Sequence, residues 1–373
     1  MHLVLEDRQE ALLAQGRALG DSLPRDHDAG LADAALDAAR GEGLALLTVP
    51  SDRGGAGLTL FDACLLLEGL AGRRPSAAAT LAAHALLAGA PMARCQGGEE
   101  PLAALAAGRV GALALAEPGG DSRLTNFGTQ AGVHGDGYRI SGEKVCVTNG
   151  GARALVLVAA RVDGEEDPAL FVVDGDAEGI EWRPRRCNIG LFGTRIADLT
   201  LHATPPMARL GGVGEGAGII ETILLQERTA VAAQAIGVAS GALRDTLRAV
   251  STREISRKPM QRNGTVQALV ADMAAALDGG RLLWWQAASA LDKGAPARDL
   301  TAMAKLHAAR AARQVTDGCL QLLGDDGCFD DPTAAHRAGA ARLASLRGGS
   351  DEHLRAVAAR EFLARLEVMG MIT

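Results

Sequence analysis

The chain has 373 residues, 48% hydrophobic and 22% charged, an ordinary globular balance with room for two or three structural units and a sizeable core. A formal net charge of −7 and the lack of any Lys/Arg block argue against a nucleic-acid or anionic-membrane surface, so no nucleic-acid partner is expected. Six cysteines (64, 95, 146, 187, 319 and 328) lie far apart with no C-x-x-C spacing, which fits reduced thiols better than disulfides or a zinc site.

The first thirty residues carry charges every few positions and lack the unbroken apolar core of a signal peptide. Long apolar spans are interrupted by glycine and polar residues, so no membrane span is expected and a cytoplasmic protein is. From Leu31 to about Ala107, Ala and Leu recur at helical spacing around a Gly-rich turn at 53–57. Near residue 112 the pattern changes to short, partly alternating runs, ALALAEP, GYRISGEKVCVT, ALVLVAARV, ALFVVDG and IADLTLHA, separated by Gly/Asp/Asn turns. These predict strands, with HGDGYRI as a hairpin.

After GGVGEGAG at 211–218, helical periodicity returns over about 219–252, 262–292, 298–323 and 334–368, predicting a helix bundle. The glycine run holds a G-x-G-x-x-A string, but no buried strand precedes it and no βαβ unit follows, so it reads as a flexible join. The fold class is α+β: a helical domain at 1–111, a β-barrel or sandwich domain at 112–212 and a helical bundle at 213–373.

One pair in the bundle is out of place. Within TILLQERTAVAAQAI, Glu227 and Arg228 are the only charges, and helical spacing puts Ile223, Leu224, Ala230 and Val231 on the face of Glu227. The pair reads either as a structural ion pair or solvent-facing turn, or as a base held in an apolar pocket. Burial disfavours a carboxylate and raises its pKa, which would suit removal of a weakly acidic C–H proton, given a carbonyl clamp and an electron acceptor. The eight histidines show no H-E-x-x-H or ligand-like cluster, so no metal is expected. Trp284 and Trp285 read as packing residues of a helix.

Six segments together resemble the acyl-CoA dehydrogenase family, in its order and at close to its spacing. They are GLALLTVPSDRGGAGL, LALAEPGGDSRLTNFGTQA, GDGYRISGEKVCVTNGG, RKPMQRNGTVQALVADM, AMAKLHAARAARQVTDGCLQLLGDDG and RLASLRGGSDEHLR. The resemblance implies a homo-oligomer, a tetramer or dimer, of three-domain subunits with a C-terminal four-helix domain and FAD between domains. It implies α,β-dehydrogenation of an acyl thioester carried on CoA or an acyl-carrier protein, with electrons passing to an electron-transfer flavoprotein or another oxidant. Many members carry the base at the position of Gly348, where glycine has only a backbone N–H to offer the thioester carbonyl. A minority, including the isovaleryl and long-chain types, carries it on the helix that holds Glu227. On this resemblance Glu227 is the base, Gly348 part of the carbonyl clamp, and Arg228 and Lys305 structural.

The same resemblance places Thr148 near flavin N5, Leu115 and Ala116 at the flavin pyrimidine edge, and Ser122 near the pyrophosphate. Arg253 would neutralise the pyrophosphate, while Gln321, Gly324, Ser350 and Glu352 would hold the adenosine half, partly across a subunit interface. Departures cluster on the adenosine side. Ser256-Arg257 stands for Phe-Gly, Gly264 for Gln, Gly339-Ala340 for Arg-Asp, and Asp325 replaces a glycine beside the pyrophosphate. Near the flavin, Cys146 stands for an aromatic residue and Ala116 for a threonine. Two other readings therefore stay open: a catalytically degenerate partner subunit, and a flavin-dependent monooxygenase on the same fold.

Overall fold

The computed structural model of the chain describes residues 5–28, 30–120, 127–185, 189–255, 257–330 and 332–368. Ser122, Cys187 and Ser256 lie outside the described residues.

The helical first part holds α1 (Asp7–Ser22), α2 (Leu31–Gly41) and α3 (Leu60–Ala71), followed by α4 (Pro75–Ala82), α5 (Ala90–Arg94) and α6 (Glu99–Ala106). α1 was not evident from the sequence; it buries Leu12, Gly16 and Leu19, a narrow stripe at helical spacing, and packs along α3. Proline opens α4, where its missing N–H costs nothing, and a π-helical stretch, Ala83–Gly89, carries α4 into α5. This Pro75–Arg94 span is long and apolar enough to cross a membrane by length and composition, but its most apolar window is wholly buried inside the protein. It is a core helix.

Eight strands follow: β1 (Val110–Ala114), β2 (Gln130–His134), β3 (Gly137–Thr148), β4 (Ala154–Val162), β5 (Ala169–Asp174), β6 (Ile180–Pro184), β7 (Ile196–Thr204) and β8 (Ala208–Leu210). They form one sheet in the order β6-β7-β3-β2-β4-β5-β8, with β1 parallel to β4. β2 and β3 make the expected hairpin around Gly135 and Asp136. The unbroken apolar run of β4 has a physical reason, since both of its faces are covered. Leu155, Leu157 and Ala159 join the core shared with the helices, while Val156, Val158 and Ala160 pack in a separate core with Phe171, Val173 and Leu201.

The chain then forms α7 (Gly216–Thr252), a short ribbon of β9 (Glu254–Ile255) and β10 (Lys258–Pro259), α8 (Gly264–Asp292) and α9 (Arg298–Leu323). α7 has 37 residues, about 55 Å at the usual helical rise. Gly237 and Gly241 let α3 approach it at backbone distance, because a Cβ at either would strike the carbonyl of Glu68 or Gly72. α8 is tied to α3 through buried Glu68, which accepts from Arg281 at 2.9 Å and from the Trp284 indole at 3.0 Å.

The single helix expected over 334–368 is in fact two, α10 (Pro332–Ala344) and α11 (Asp351–Val368). Gly348 and Gly349 between them have φ of +66° and +100°, outside right-handed helical space, so the chain turns there. That turn is part of the site described next.

Candidate active site

Glu227 lies on α7 between Ile223 and Val231, both about 1% exposed, and itself keeps partial exposure. Arg228, only 7% exposed, points its Nε at the carbonyl of Gly348, 3.4 Å away. Among the described residues neither member of the pair has an ion-pair partner within 4.0 Å. The structural ion pair is therefore not what α7 carries here.

Instead Glu227 lies beside the turn between α10 and α11, whose Gly348 packs against the backbone of Arg228 on α7. Burial raises its pKa above the ordinary carboxylate value; the cations of Arg347, Arg228 and Lys305 and the Gly348 N–H oppose that rise without cancelling it. The turn is held from beneath. Fully buried Lys305 donates to the Gly349 carbonyl at 2.7 Å and lies 3.3 Å from the Asp351 carboxylate, which gives it the structural role expected. Ser350 caps α11, its hydroxyl accepting from the His353 N–H at 3.3 Å, and Glu352 next to it is exposed.

The β domain brings together a second group. The carbonyl of Ala116, just beyond β1, accepts from the Val145 N–H at 2.8 Å, which places Leu115 and Ala116 beside Cys146 and Thr148 on β3. Ala116 and Cys146 are exposed, Thr148 is half-buried and Leu115 is buried, so the first three present a surface a planar ring can lie against. Cys146 sits at an irregularity in the β3–β7 register with φ of +57°, and its N–H is held by Asp198 at 3.0 Å. A bulge with a left-handed residue re-aims a side chain, and here it turns the thiol outward.

Sequence reasoning did not single out the residues that brace this surface. Buried Lys144 bonds Glu117 at 2.7 Å and the Leu115 carbonyl at 3.3 Å, with the Phe127 ring 4.4 Å from its ammonium. Desolvation pulls the Lys144 pKa down to about 8, against the opposing pull of Glu117. A lysine at an inward-facing strand position was the available signal.

A third group is remote. Arg253 ends α7 and donates to the Leu323 carbonyl at 2.8 Å, joining it to the last turn of α9, where Gln321 and Gly324 lie. Along α7 it stands about 39 Å from Glu227, farther than one FAD can bridge. Arg253 is ion-paired with Asp326, so the acidic neighbour that engages it is Asp326 rather than Asp325. At the other departure, a Cβ on Gly339 would strike the Ile189 carbonyl, which leaves no room for an arginine there.

Three family models cover most of the chain: acyl-CoA dehydrogenase N-terminal domain over residues 21–100, middle domain over 112–204 and C-terminal domain over 214–363. The chain belongs to the acyl-CoA dehydrogenase family. It is 29% identical over 371 residues to benzylmalonyl-CoA dehydrogenase of Aromatoleum aromaticum, covering 94% of this chain and 98% of that one. With cyclohex-1-ene-1-carbonyl-CoA dehydrogenase of Geobacter metallireducens it shares 32% identity over 258 residues, 68% of each chain. The butyryl-CoA dehydrogenase of Megasphaera elsdenii superposes with a TM-score of 0.89 at 25% identity over 97% of this chain and all of the other.

As an acyl-CoA dehydrogenase family member, the protein is an FAD-dependent oxidoreductase. Its residues fit the flavin half of that cofactor. Exposed Ala116 and Cys146 with half-buried Thr148 form a platform braced from behind by Lys144 and Glu117. At the adenosine end the fixed cation is present but already holds Asp326. Among the described residues no group of His, Cys, Asp and Glu could hold a metal ion.

Proposed function

We propose that this acyl-CoA dehydrogenase uses Glu227 to remove the α-proton of an acyl thioester, with the Gly348 N–H as one donor to the thioester carbonyl. The observation that carries this reading is the packing of the Gly348 turn against α7 at Arg228, beside a carboxylate flanked by buried Ile223 and Val231. Bound FAD supplies the hydride acceptor for the β-carbon.

The chain's own residues do the rest. Ile223, Val231 and the α10–α11 turn desolvate Glu227, which brings its basicity closer to working pH. Lys305 and Arg228 fix the turn through the Gly349 and Gly348 carbonyls, so the Gly348 N–H is aimed before substrate arrives. When a thioester carbonyl takes that N–H, its dipole no longer favours the charged form of nearby Glu227, which becomes a stronger base. The separation of Arg253 from Glu227 supports a homo-oligomer, in which Arg253, Gln321 and Gly324 serve the cofactor of a second copy.

The test is anaerobic flavin bleaching by short, branched and long acyl thioesters, offered on CoA and on a carrier protein. Glu227→Gln should keep flavin and slow bleaching about a hundredfold or more. Equal rates in variant and parent would remove Glu227 from the chemistry. One observation favours a second reading, a flavin-poor partner subunit: the Asp326 carboxylate occupying Arg253. Protein that is colourless and takes up no added FAD would support it.

A further inference from the structure

A cavity of about 300 Å³ opens where the loop before α2, the junction of α3 with α4 and the first turn of α10 meet. Small-molecule pockets begin at about that size. Its lining holds none of the residues placed above at the flavin or the thioester. Arg337 ties it to α7 through Asp245 at 2.8 Å, and Asp245 stands about 27 Å along that helix from Glu227.

Three separate segments bring four guanidinium groups to this corner, those of Arg25, Arg73, Arg74 and Arg337. Two are paired, Arg73 with Asp21 at 3.0 Å and Arg337 with Asp245. Arg25 and Arg74 have no carboxylate within 4.0 Å among the described residues. Arg74 is held in place all the same. Its Nε, Nη1 and Nη2 donate to the carbonyls of Pro24, Arg73 and Leu23 at 2.6, 3.1 and 3.1 Å, which fixes the fork without giving it a counter-ion. Arg337, 5% exposed, keeps a buried Nε with no acceptor. The one acid in the described lining, Asp26, is turned to Ser76, whose N–H and hydroxyl donate to it at 3.0 and 2.7 Å. Burial, then the neighbouring Arg244 guanidinium, hold the Arg73 pKa below its ordinary value despite Asp21 and Asp245. The corner is short of negative charge.

Guanidinium forks arriving from several directions suit a phosphate, with three acceptor oxygens and a charge of about −1.5 to −2, better than a planar carboxylate, which a single fork satisfies. We propose that this corner is a binding site for a phosphate-bearing small molecule, held through a diphosphate group by Arg25, Arg74 and Arg337. A cavity of this size favours a diphosphate over a lone phosphate ion. A ligand there ties the N-terminal helices to α10, the helix that leads into the Gly348 turn. The proposal stands apart from the dehydrogenation reading.

The test titrates sodium pyrophosphate into the FAD-loaded enzyme at constant ionic strength, followed by calorimetry, with inorganic phosphate, ADP and adenosine in parallel. Pyrophosphate should saturate one site per chain, bind more tightly than phosphate, and raise the melting temperature as its concentration rises. ADP matching pyrophosphate would make the diphosphate the whole of the recognised group, and tighter ADP would add the nucleoside to it; both uphold the site. Arg25→Ser removes an exposed side chain that makes no hydrogen bond among the described residues, so the fold should be unaffected. It should weaken pyrophosphate about tenfold, the worth of one charged hydrogen bond. Arg74→Met should weaken it at least as much. Equal affinity in Arg25→Ser and parent would overturn the proposal, as would adenosine binding as tightly as ADP, or no heat beyond that of sodium chloride at the same ionic strength. Pyrophosphate that releases flavin in step with its own binding would belong to the cofactor site, and that result too would overturn it.

Discussion

Replacing Lys305 by methionine removes the cation beneath the Gly348 turn and strands Asp351, which is 5% exposed. Breaking a buried pair by deleting one partner costs about 3–5 kcal/mol. Lys305 is fully buried, so solvent screening offers little relief, but Arg313 stays 3.5 Å from the other Asp351 oxygen and recovers part of the loss. The Gly349 carbonyl also loses its donor, worth about 1 kcal/mol. The expected net cost is therefore about 3 kcal/mol. It should appear in urea unfolding of the FAD-loaded protein followed by fluorescence of buried Trp284. Because the cost is mostly a stranded charge, Lys305→Met combined with Asp351→Leu should be more stable than Lys305→Met alone. The turn would also loosen, and flavin reduction should slow even where the protein remains folded. A single-variant loss under about 1 kcal/mol, or a double variant no better than the single, would refute the reasoning.

Other outcomes follow from the same geometry. The rate of flavin reduction should rise with pH as Glu227 deprotonates, with its midpoint above the ordinary carboxylate value of 4.5. Arg347→Met should move that limb to still higher pH, since Arg347 is the largest of the charges that hold the value down; stopped-flow pH profiles of both proteins check this. Asp326→Asn should tighten FAD binding by about two- to fivefold, the scale of an exposed ion pair, in a flavin-fluorescence titration. His84 is fully buried, accepts from the Gly111 N–H at 2.9 Å, and is pushed down to about 4 mainly by desolvation. Its neutral form thus stabilises the fold fully above pH 6.5, a contribution of about 3 kcal/mol lost as pH falls toward 4. His84→Gln should flatten the acid side of the stability curve relative to the parent.

Some of this was legible in the sequence because the physics is local. The continuous apolar run of β4 and the long Ala/Leu periodicity of α7 each announce their burial, and the lone charges at 227 and 228 stand out against it. The break between α10 and α11 is written in Arg347-Gly348-Gly349-Ser350, but helical spacing resumes on both sides and masks it. α1 was missed because its buried stripe is narrow and charges fill the rest of its surface. Nothing local could reveal Lys144 with Glu117, Lys305 with Asp351, or Arg347 with Gln234, since each pair meets only after folding brings distant segments together. The family resemblance pointed to Leu115, Ala116, Cys146 and Thr148 and to an acid near Arg253, yet not to Asp326 as the acid that Arg253 holds, nor to the spare donor on Gln234.

On the proposed reading, one helix works as a ruler. It holds the proton acceptor near its start and the phosphate-facing arginine at its finish, too far apart to touch the same flavin. A solitary subunit would then own two unfinished halves of two different berths, and copies must pair before either berth is whole. Diluting the enzyme should bleach it of colour and turnover in step, while its helices stay folded.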